Sequence, residues 1–393
     1  MTPIQLTNTL TRQKAHFKPL DAHNVRMYVC GITPYDEFHI GNARVYVVFD
    51  VLFRLLRQVY GPDCVTYVRN FTDIDDKIIA RAQELDIDAH TLTEDMIASF
   101  HTGMAALGCL APTHEPRVTE HVKDIVQMIQ TLVDKHIAYV TPAGDVNYDI
   151  SRAPNRDDYI YGQLAGKNME DMLAGARVEV DESKRHPGDF ALWKAAKPHE
   201  PSWDSPWGAG RPGWHIECSA MSRKYLGDTF DIHAGGEDLQ FPHHENEIAQ
   251  SEGACGCKYV NYWLHNAFIT VEGQKMSKSL GNFITTKQAL TDFEGRAMRY
   301  WLLQTHYRKP VDYSPAALQA ASTAVKKLKN AVQDYVPLGN EQIPDEVVAA
   351  VEDDLNTAKA LAALNTLRKP AVAGDEAARA GLYAGGTFLG LWD

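Results

Sequence analysis

The chain has 393 residues, a formal net charge of −12 from 39 lysines and arginines against 51 aspartates and glutamates, and six cysteines. The acidic balance excludes a protein that coats nucleic acid through bulk positive charge, and the 45% hydrophobic composition excludes a disordered chain. The sequence has no apolar run near the ~18 residues of a membrane span and no signal-peptide core at its start, so we expect a cytoplasmic protein that does not contact membranes. Scattered cysteines in such a protein are typical of buried thiols with one metal site, not of a disulfide scaffold.

The first part of the chain predicts a strand–helix–strand unit. Residues 27–33 and 65–71 are apolar runs typical of buried strands, and between them 39–61 has the spacing of a helix that closes at Gly61. This order favours a parallel α/β sheet. Another helix is expected after residue 71, with Thr72 or Asp73 as its cap.

The later segments differ in character. An amphipathic helix is expected over 119–137 with Thr119 as its cap, then a hairpin that turns at 142–145, and strand character returns at 230–236. From residue 314 the Ala- and Leu-rich spacing predicts helices. The expected domains are the first half of a sheet domain at 1–119, an α+β insertion at 120–205, the second half at 206–255, a connecting region at 256–313 and a helical bundle at 314–393.

A first chemical motif opens the first long helix. His39-Ile40-Gly41-Asn42 follows a strand and a turn, where unpaired N–H groups and the helix dipole favour phosphates. Gly41 removes a Cβ that would obstruct a nucleotide, and His39 and Asn42 can donate hydrogen bonds to phosphate oxygens. The alternative is that His39 is simply a partly exposed histidine of the first turn.

A second motif, Lys275-Met276-Ser277-Lys278-Ser279, lies between two glycines. Its lysines and hydroxyls suit the charge that develops on a triphosphate during displacement. A solvated basic loop is the alternative, and it explains a lone K-x-x-K better than it explains the full five-residue string.

A third set of residues has donor groups that suit a zinc site, although their spacing alone is only suggestive. Two thiolates from Cys30 and Cys218, an imidazole from His243 and a carboxylate from Glu247 suit Zn²⁺, and the last two lie one helical turn apart. Spacing alone also allows His244, and a buried cysteine is often only a small apolar residue. The C-x-C pair at 255 and 257 lacks a partner pair, so no metal is assigned to it.

Together the segments resemble one family. MYVCGITPYDEFHIGNAR, YVRNFTDIDDKI, GWHIECSAM, FPHHENEIAQ and KMSKSLGNF resemble the bacterial cysteinyl-tRNA synthetases, which are class I aminoacyl-tRNA synthetases, from about residue 8 through 313 and more loosely beyond. Asn42 departs from the histidine most common at that position. Because asparagine still donates to a phosphate, we expect a tuned function rather than a lost one.

The resemblance implies a Rossmann-like parallel-sheet catalytic domain with an α+β insertion and a C-terminal helical bundle, the region 256–313 contacting the tRNA stem. It implies a monomeric cysteine–tRNA ligase that forms cysteinyl-adenylate from L-cysteine and Mg²⁺-ATP and transfers cysteine to the 3′ end of tRNA(Cys). An alternative is a mycothiol-type ligase that passes cysteine to a small amine. A degenerate paralogue without activity is disfavoured, because the metal ligands and both lysines of the 275–279 string are intact.

The resemblance also implies roles for single residues. One Zn²⁺ per chain is bound by Cys30, Cys218, His243 and Glu247, the resemblance selecting His243 over His244. The substrate cysteine contacts Gly31, Thr72 and Trp214, although capping and core packing are the alternatives for the last two. ATP contacts His39, Gly41, Gly235, Gly236, Asp238 and Lys278, and the catalytic residues are His39, Asn42, Lys275 and Lys278.

Recognition of tRNA is the least specified part. The segment 311–393 has no basic surplus, so Arg296, Arg299 and Arg308 are the expected contacts with the acceptor arm. The family's anticodon-binding domain is expected to be absent or truncated after the bundle.

Overall fold

A computed structural model describes residues 3–156, 158–166, 184–198, 200–276 and 280–392. Its strands are β1 Gln5–Asn8, β2 Gln13–His16, β3 Val25–Ile32, β4 Val65–Phe71, β5 Ala138–Val140, β6 Val146–Tyr148, β7 Asn155–Arg156, β8 Tyr159–Ile160, β9 Phe190–Ala195, β10 Gly210–Pro212, β11 Phe230–Gly236, β12 Val260–Asn266, β13 Ile269–Val271, β14 Gln274–Lys275 and β15 Val311–Tyr313. Its helices are α1 Ile40–Tyr60, α2 Asp76–Leu85, α3 Ala89–Ala106, α4 Val122–Asp134, α5 Trp214–Leu226, α6 Glu245–Cys255, α7 Thr286–Asp292, α8 Gly295–Leu303, α9 Pro315–Ala331, α10 Asp345–Glu352, α11 Thr357–Val372 and α12 Glu376–Phe388.

The central sheet has the order β12-β11-β3-β4, and all its neighbouring strands are parallel. Alternate residues of β3 enter two different cores: Met27 and Val29 pack with α1, whereas Tyr28 and Cys30 pack with α5 and α6. Both faces are therefore covered, as a parallel sheet requires. The strand order reverses between β3 and β11, and ligands of such sheets bind in the crevice at that point.

Helix α1 follows β3 and packs beneath the crevice. Most of its residues are buried, including Val47, Phe49 and Leu52, and it ends at Gly61 with a φ of 105°. The predicted strand–helix–strand unit and the helix end at Gly61 are confirmed. The parallel sheet, the insertion and the helical C-terminal part agree with the predicted α/β fold class.

The insertion is built on a second, antiparallel sheet with the order β10-β9-β6-β5. Strands β5 and β6 pair from Ala138↔Tyr148 to Val140↔Val146, which is the predicted hairpin. Trp193 on β9 is fully buried between this sheet and its neighbours.

Two predicted helix caps are wrong for one shared reason. Helix α2 begins at Asp76 with Asp75 as its cap, and α4 begins at Val122 without a side-chain cap. The carboxylate of Asp73 accepts hydrogen bonds from the Thr119 hydroxyl (2.6 Å) and backbone N–H (3.1 Å). The two residues bind each other, so neither caps a helix.

Arg299 is not a tRNA contact, and that prediction is wrong. Its side chain is fully buried and donates to Asp50 on α1 and to the carbonyls of Leu107 and Leu389 (3.2 and 2.7 Å). It therefore joins α8, α1 and the chain end. Arg308 is half exposed but donates to Asp354 at 2.6 Å.

The cysteines are of two kinds. Cys255 and Cys257 form a disulfide, so the prediction of thiols is wrong for these two, whereas Cys30, Cys64, Cys109 and Cys218 are free.

Within the described ranges, no helix combines the length and the apolar character that crossing a membrane requires.

Candidate active site and metal centre

A cavity of about 340 Å³ opens at the carboxyl ends of β3 and β11, where the strand order reverses. Most of the predicted site residues line it: Cys30, Gly31, His39, Gly41, Asn42, Thr72, Trp214, Cys218, Gly236, Asp238, His243 and Lys275. Glu247 and Gly235 are buried outside its lining. Lys278 lies outside the described residues.

At one end of the cavity the four predicted zinc ligands converge. One donor atom from each of Cys30, Cys218, His243 and Glu247 lies within 4.8 Å of the others, and all four side chains are buried. The two sulfurs are 3.7 Å apart, Cys30 Sγ is 3.5 Å from Glu247 Oε1, and His243 Nε2 is 3.1 Å from the same oxygen. Segments that are distant in the sequence thus form one compact donor set.

The protonation of this set fits a divalent cation. Burial lowers the pKa of His243 to about 3, so its imidazole is neutral, as a metal ligand must be. Burial by itself would raise the pKa of Glu247, but the electrostatic interaction with the neighbouring histidines and the hydrogen bonds that its carboxylate accepts from His233 and Tyr259 outweigh burial and lower the pKa. Burial raises the pKa of the Cys30 and Cys218 thiols. Thiols that burial disfavours as anions become good ligands only when a cation stabilises the thiolates.

Partners of the ligands were missed at the level of the sequence. His233 donates from Nε2 to Glu247 Oε2 (2.8 Å), Tyr259 donates to the same oxygen (3.1 Å), and His215 Nδ1 lies 3.2 Å from His243 Nδ1. These contacts orient the ligands as the outer sphere of a metal site does. His233 lies in the strand predicted over 230–236, and a histidine inside that apolar segment was the only signal in the sequence.

His244 offers a second arrangement. Its Nε2 lies 3.2 Å from Cys30 Sγ, and Cys30, His233, His244 and Glu247 also fall within metal-binding range of one another. However, His244 Nε2 is 3.9 Å from Glu247 Oε1, and its Nδ1 lies 2.8 Å from His265 Nε2. Of the two histidines it is His243 that lines the cavity, so the set with His243 is the one a substrate reaches.

The predicted substrate residues surround this donor set. Trp214 stacks on the His243 ring at 4.4 Å and is 38% exposed, so the alternative of a core tryptophan is wrong. A Cβ on Gly31 would lie 1.5 Å from the Asn70 carbonyl oxygen, which only glycine avoids. The Thr72 hydroxyl donates to Glu217 Oε2 at 3.0 Å.

The other end of the cavity is the N-terminus of α1. His39 Nδ1 accepts from the Asn42 N–H (3.1 Å), while Asn42 Oδ1 accepts from the His39 N–H (3.2 Å), forming a capping box. Because Nδ1 is an acceptor, the ring proton is on Nε2, which can donate to a phosphate. A Cβ on Gly41 would lie 2.8 Å from the His39 ring.

The wall facing that helix carries the remaining predicted residues. Lys275 on β14 holds its Nζ 3.6 Å from the centre of the Phe268 ring. A Cβ on Gly236 would lie 2.5 Å from Asp238 Oδ1, so glycine leaves room for this carboxylate in its present position. A Cβ on Gly235 would lie 3.0 Å from His244, which places this glycine in packing rather than on the cavity surface.

Comparison with known proteins decides the family. Residues 16–323 match the model of the class I (C) tRNA synthetase catalytic domain. The chain is 50% identical to the cysteine–tRNA ligase of Beijerinckia indica, covering 99% of this chain and 85% of that protein. It is 54% identical to the cysteine–tRNA ligase of Chromohalobacter salexigens, covering 93% of this chain and 78% of that protein.

The chain belongs to the cysteinyl-tRNA synthetases. The resemblance seen in the sequence is therefore confirmed.

More distant synthetases share the fold. The Mycobacterium tuberculosis methionyl-tRNA synthetase in complex with methionyl-adenylate matches with a TM-score of 0.58 at 15% identity, over 93% of this chain and 89% of that one. The Agrobacterium radiobacter LeuRS in a ternary complex with tRNA and LeuAMS matches with a TM-score of 0.61 at 11% identity, over 95% of this chain and 83% of that one. The class I architecture thus persists where the sequences have diverged.

Proposed function

We propose that this synthetase activates L-cysteine with ATP and transfers the cysteinyl group to the 3′ end of tRNA(Cys). The observation that carries the proposal is a single cavity with a thiol-binding donor set at one end and a phosphate-binding helix N-terminus at the other. A substrate that fits both ends has a sulfur atom and a carboxylate able to meet a nucleotide phosphate.

The sulfur end selects cysteine. We assign one Zn²⁺ to Cys30, Cys218, His243 and Glu247, because two buried sulfurs, an imidazole and a carboxylate match its preferences. When bound, Zn²⁺ supplies an electrophilic centre that favours a thiolate over a hydroxyl. An apolar pocket alone separates such near-isosteres only ~10²-fold. Trp214 and Gly31 then confine the substrate beside these ligands.

The phosphate end supports adenylate formation. The cysteine carboxylate attacks the α-phosphorus of Mg²⁺-ATP in line, the new P–O bond forms and pyrophosphate leaves with the electron pair of the broken bond. The carboxylate is ionised at neutral pH, so the step needs no general base. His39 Nε2–H, the amide Nδ2 of Asn42, Lys275 and Lys278 stabilise the charge that develops on the phosphates, while Gly236 and Asp238 receive the adenosine.

Transfer completes the reaction. A ribose hydroxyl at the tRNA 3′ end attacks the activated carbonyl and releases its proton, the ester C–O bond forms, and AMP leaves with the electron pair of the broken anhydride bond. We further propose that the enzyme works as a monomer in the cytoplasm, where ATP, L-cysteine and tRNA meet.

The proposal is tested by cysteine-dependent ATP–pyrophosphate exchange and by charging of tRNA(Cys), each run beside a small-amine acceptor. Cysteine-dependent exchange and charged tRNA are expected. The Lys278→Ala variant should bind cysteine but lose exchange, because it removes a charge from the displacement step. Unchanged exchange in that variant would contradict the role of the lysine, and product formed only with the amine would contradict the tRNA as acceptor.

A further inference from the structure

A buried acid beside the metal ligands has no part in the steps above. Glu217 lies on α5 directly before Cys218 and is only 1% exposed. Its Oε2 accepts a hydrogen bond of 3.0 Å from the hydroxyl of Thr72, which comes from the loop after β4. A buried carboxyl group is costly unless it is bonded, so this contact explains how the acid is accommodated.

Thr72 lies on the cavity lining close to the donor set. The side chain of Asn70 bridges the two sites: its Oδ1 lies 3.7 Å from Cys218 Sγ and its Nδ2 lies 3.4 Å from Thr72 Oγ1. In cysteine only two carbon atoms separate the sulfur from the nitrogen. A substrate whose sulfur joins the donor set therefore holds its ammonium group within a few ångströms of that sulfur, which is within reach of Thr72 on the same cavity lining.

The hydrogen bond to Glu217 decides whether the Thr72 hydroxyl presents its proton or a lone pair to this ammonium group. A hydroxyl has one proton and two lone pairs. Because the proton is directed to Glu217, a lone pair of Oγ1 can point into the cavity and accept from an N–H of the substrate. A proton pointing into the cavity would instead meet the ammonium donor.

We propose that Glu217 is a positioning residue, which holds the Thr72 hydroxyl as an acceptor for the α-ammonium group of the amino-acid substrate. The inference rests on the proposed function, since it takes cysteine as the substrate. The role proposed for Glu217 extends recognition of the amino acid from its sulfur, which the donor set binds, to its amino group.

Two truncated analogues of cysteine allow the contacts of its ammonium group to be tested separately from those of its carboxylate. Cysteamine has the thiol and the ammonium group, whereas 3-mercaptopropionate has the thiol and the carboxylate but no ammonium group. Inhibition constants of both are measured against cysteine in pyrophosphate exchange, with zinc content as the check on the metal centre. Failure of both compounds and of cysteine to bind the unaltered enzyme would indicate that the proposed function, not the role of Glu217, is wrong.

Glu217→Met removes the acceptor and Glu217→Gln keeps an acceptor oxygen at nearly the same position. Glu217→Met should raise the inhibition constant of cysteamine by about 10- to 100-fold, which corresponds to the loss of one hydrogen bond to a charged group. The inhibition constant of 3-mercaptopropionate should change by less than about twofold. Glu217→Gln should recover most of this loss. Equal weakening of both compounds, or no weakening of either, would overturn the proposal.

A double-mutant cycle with Thr72→Val adds a readout that a merely structural residue would not move. Thr72→Val should weaken the binding of cysteamine as much as Glu217→Met does. The double variant should bind cysteamine no more weakly than either single variant, because both substitutions act through one hydroxyl. Additive losses would overturn the proposal. If Glu217→Met does not fold, Glu217→Asp, which retracts the acceptor by one methylene, takes its place with the same expected selectivity.

Discussion

At the scale of single residues, the donor set shows what a sequence can reveal. The sulfurs of Cys30 and Cys218 meet at 3.7 Å although 188 positions separate them, and the family motifs, not the spacing, indicated that they belong together. The contacts of His233, Tyr259 and His215 with the ligands were not predictable, because each comes from a different segment and no pattern in the sequence indicates which ligand each side chain meets. Chemistry that lies in a motif was found, and chemistry that arises from packing was not.

Cys218→Ser tests the donor set. Replacing a thiolate by a hydroxyl should lower zinc affinity by roughly 10²-fold or more and abolish cysteine-dependent exchange, because serine is a poor, hardly ionised ligand. Zinc is counted by elemental mass spectrometry after dialysis. Cys64→Ser is the matched control, since Cys64 is a free cysteine outside the set and should keep both properties. A full zinc complement in Cys218→Ser would refute the assignment.

Gly41→Ala tests the phosphate end. The added Cβ would meet the His39 ring at 2.8 Å, so the ring must turn and move its Nε2–H from the cavity. We expect exchange to fall about tenfold or more. The free energy of unfolding should change by less than about 1 kcal/mol, because alanine is the better helix former. The control is Gly381→Ala in α12, where the Cβ is 3.2 Å from Pro344 and exchange should not change. Wild-type exchange in Gly41→Ala would contradict the role of His39.

At the scale of elements, the strands and helices of the sheet followed from local patterns, because buried runs and a helix that ends at Gly61 need no distant partner. The starts of α2 and α4 did not. Thr72, Asp73 and Thr119 have the residue types of caps, but Asp73 and Thr119 bind each other and Thr72 binds Glu217. A polar side chain has several possible partners, and tertiary contacts decide among them.

The carboxylate of Glu115, in the loop after α3, contacts both β4 and α3, and these contacts predict that the stability of the fold depends on pH. Glu115 Oε1 accepts from Arg69 Nε (3.0 Å) and its Oε2 lies 2.6 Å from His101 Nε2. Burial alone would raise the pKa of Glu115, but the hydrogen bond from His101 and the charge of Arg69 outweigh it, so the pKa is lowered. A lowered pKa stabilises the fold above the unfolded-state value of about 4.3, and this stability is lost as the pH falls through the folded-state pKa.

Glu115→Gln should therefore lower the free energy of unfolding at pH 7 by about 1–3 kcal/mol, with the difference from the unaltered protein shrinking below about pH 4. Urea unfolding between pH 3 and 7 measures it. Glu84→Gln, which removes an exposed partner of Arg81, is the control and should cost less than about 1 kcal/mol. A difference that does not vary with pH would count against this account.

At the scale of the whole molecule, the buried carboxylate of Asp354 helps to join the N-terminal hairpin, formed by β1 and β2, to the helical bundle. Asp354 Oδ1 accepts from the Thr7 N–H (2.8 Å) and the Tyr307 hydroxyl (2.9 Å), and Oδ2 accepts from Arg308 (2.6 Å). Asp354 is 2% exposed, whereas its neighbour Asp353 pairs with Lys14 near the surface.

Asp354→Ala should cost about 1–3 kcal/mol of unfolding free energy, because it leaves the buried Tyr307 hydroxyl without its acceptor and also removes the acceptor of the Thr7 N–H and of Arg308. Hydrogen exchange should rise in β1 and in α10 and α11 before it rises in β3 or β11, because the altered contact lies at the junction of hairpin and bundle. Asp353→Ala is the matched control, with an expected cost below about 1 kcal/mol. Equal costs for the two variants would show that the buried network does not join these parts.

The central claim is that the buried donor set selects cysteine through its sulfur. The most direct measurement is ATP–pyrophosphate exchange with cysteine and with serine on one preparation whose zinc has been counted. We expect one zinc per chain, exchange with cysteine, and a kcat/KM for serine lower by more than about 10²-fold. Serine-dependent exchange near the cysteine rate in the zinc-loaded enzyme would contradict it.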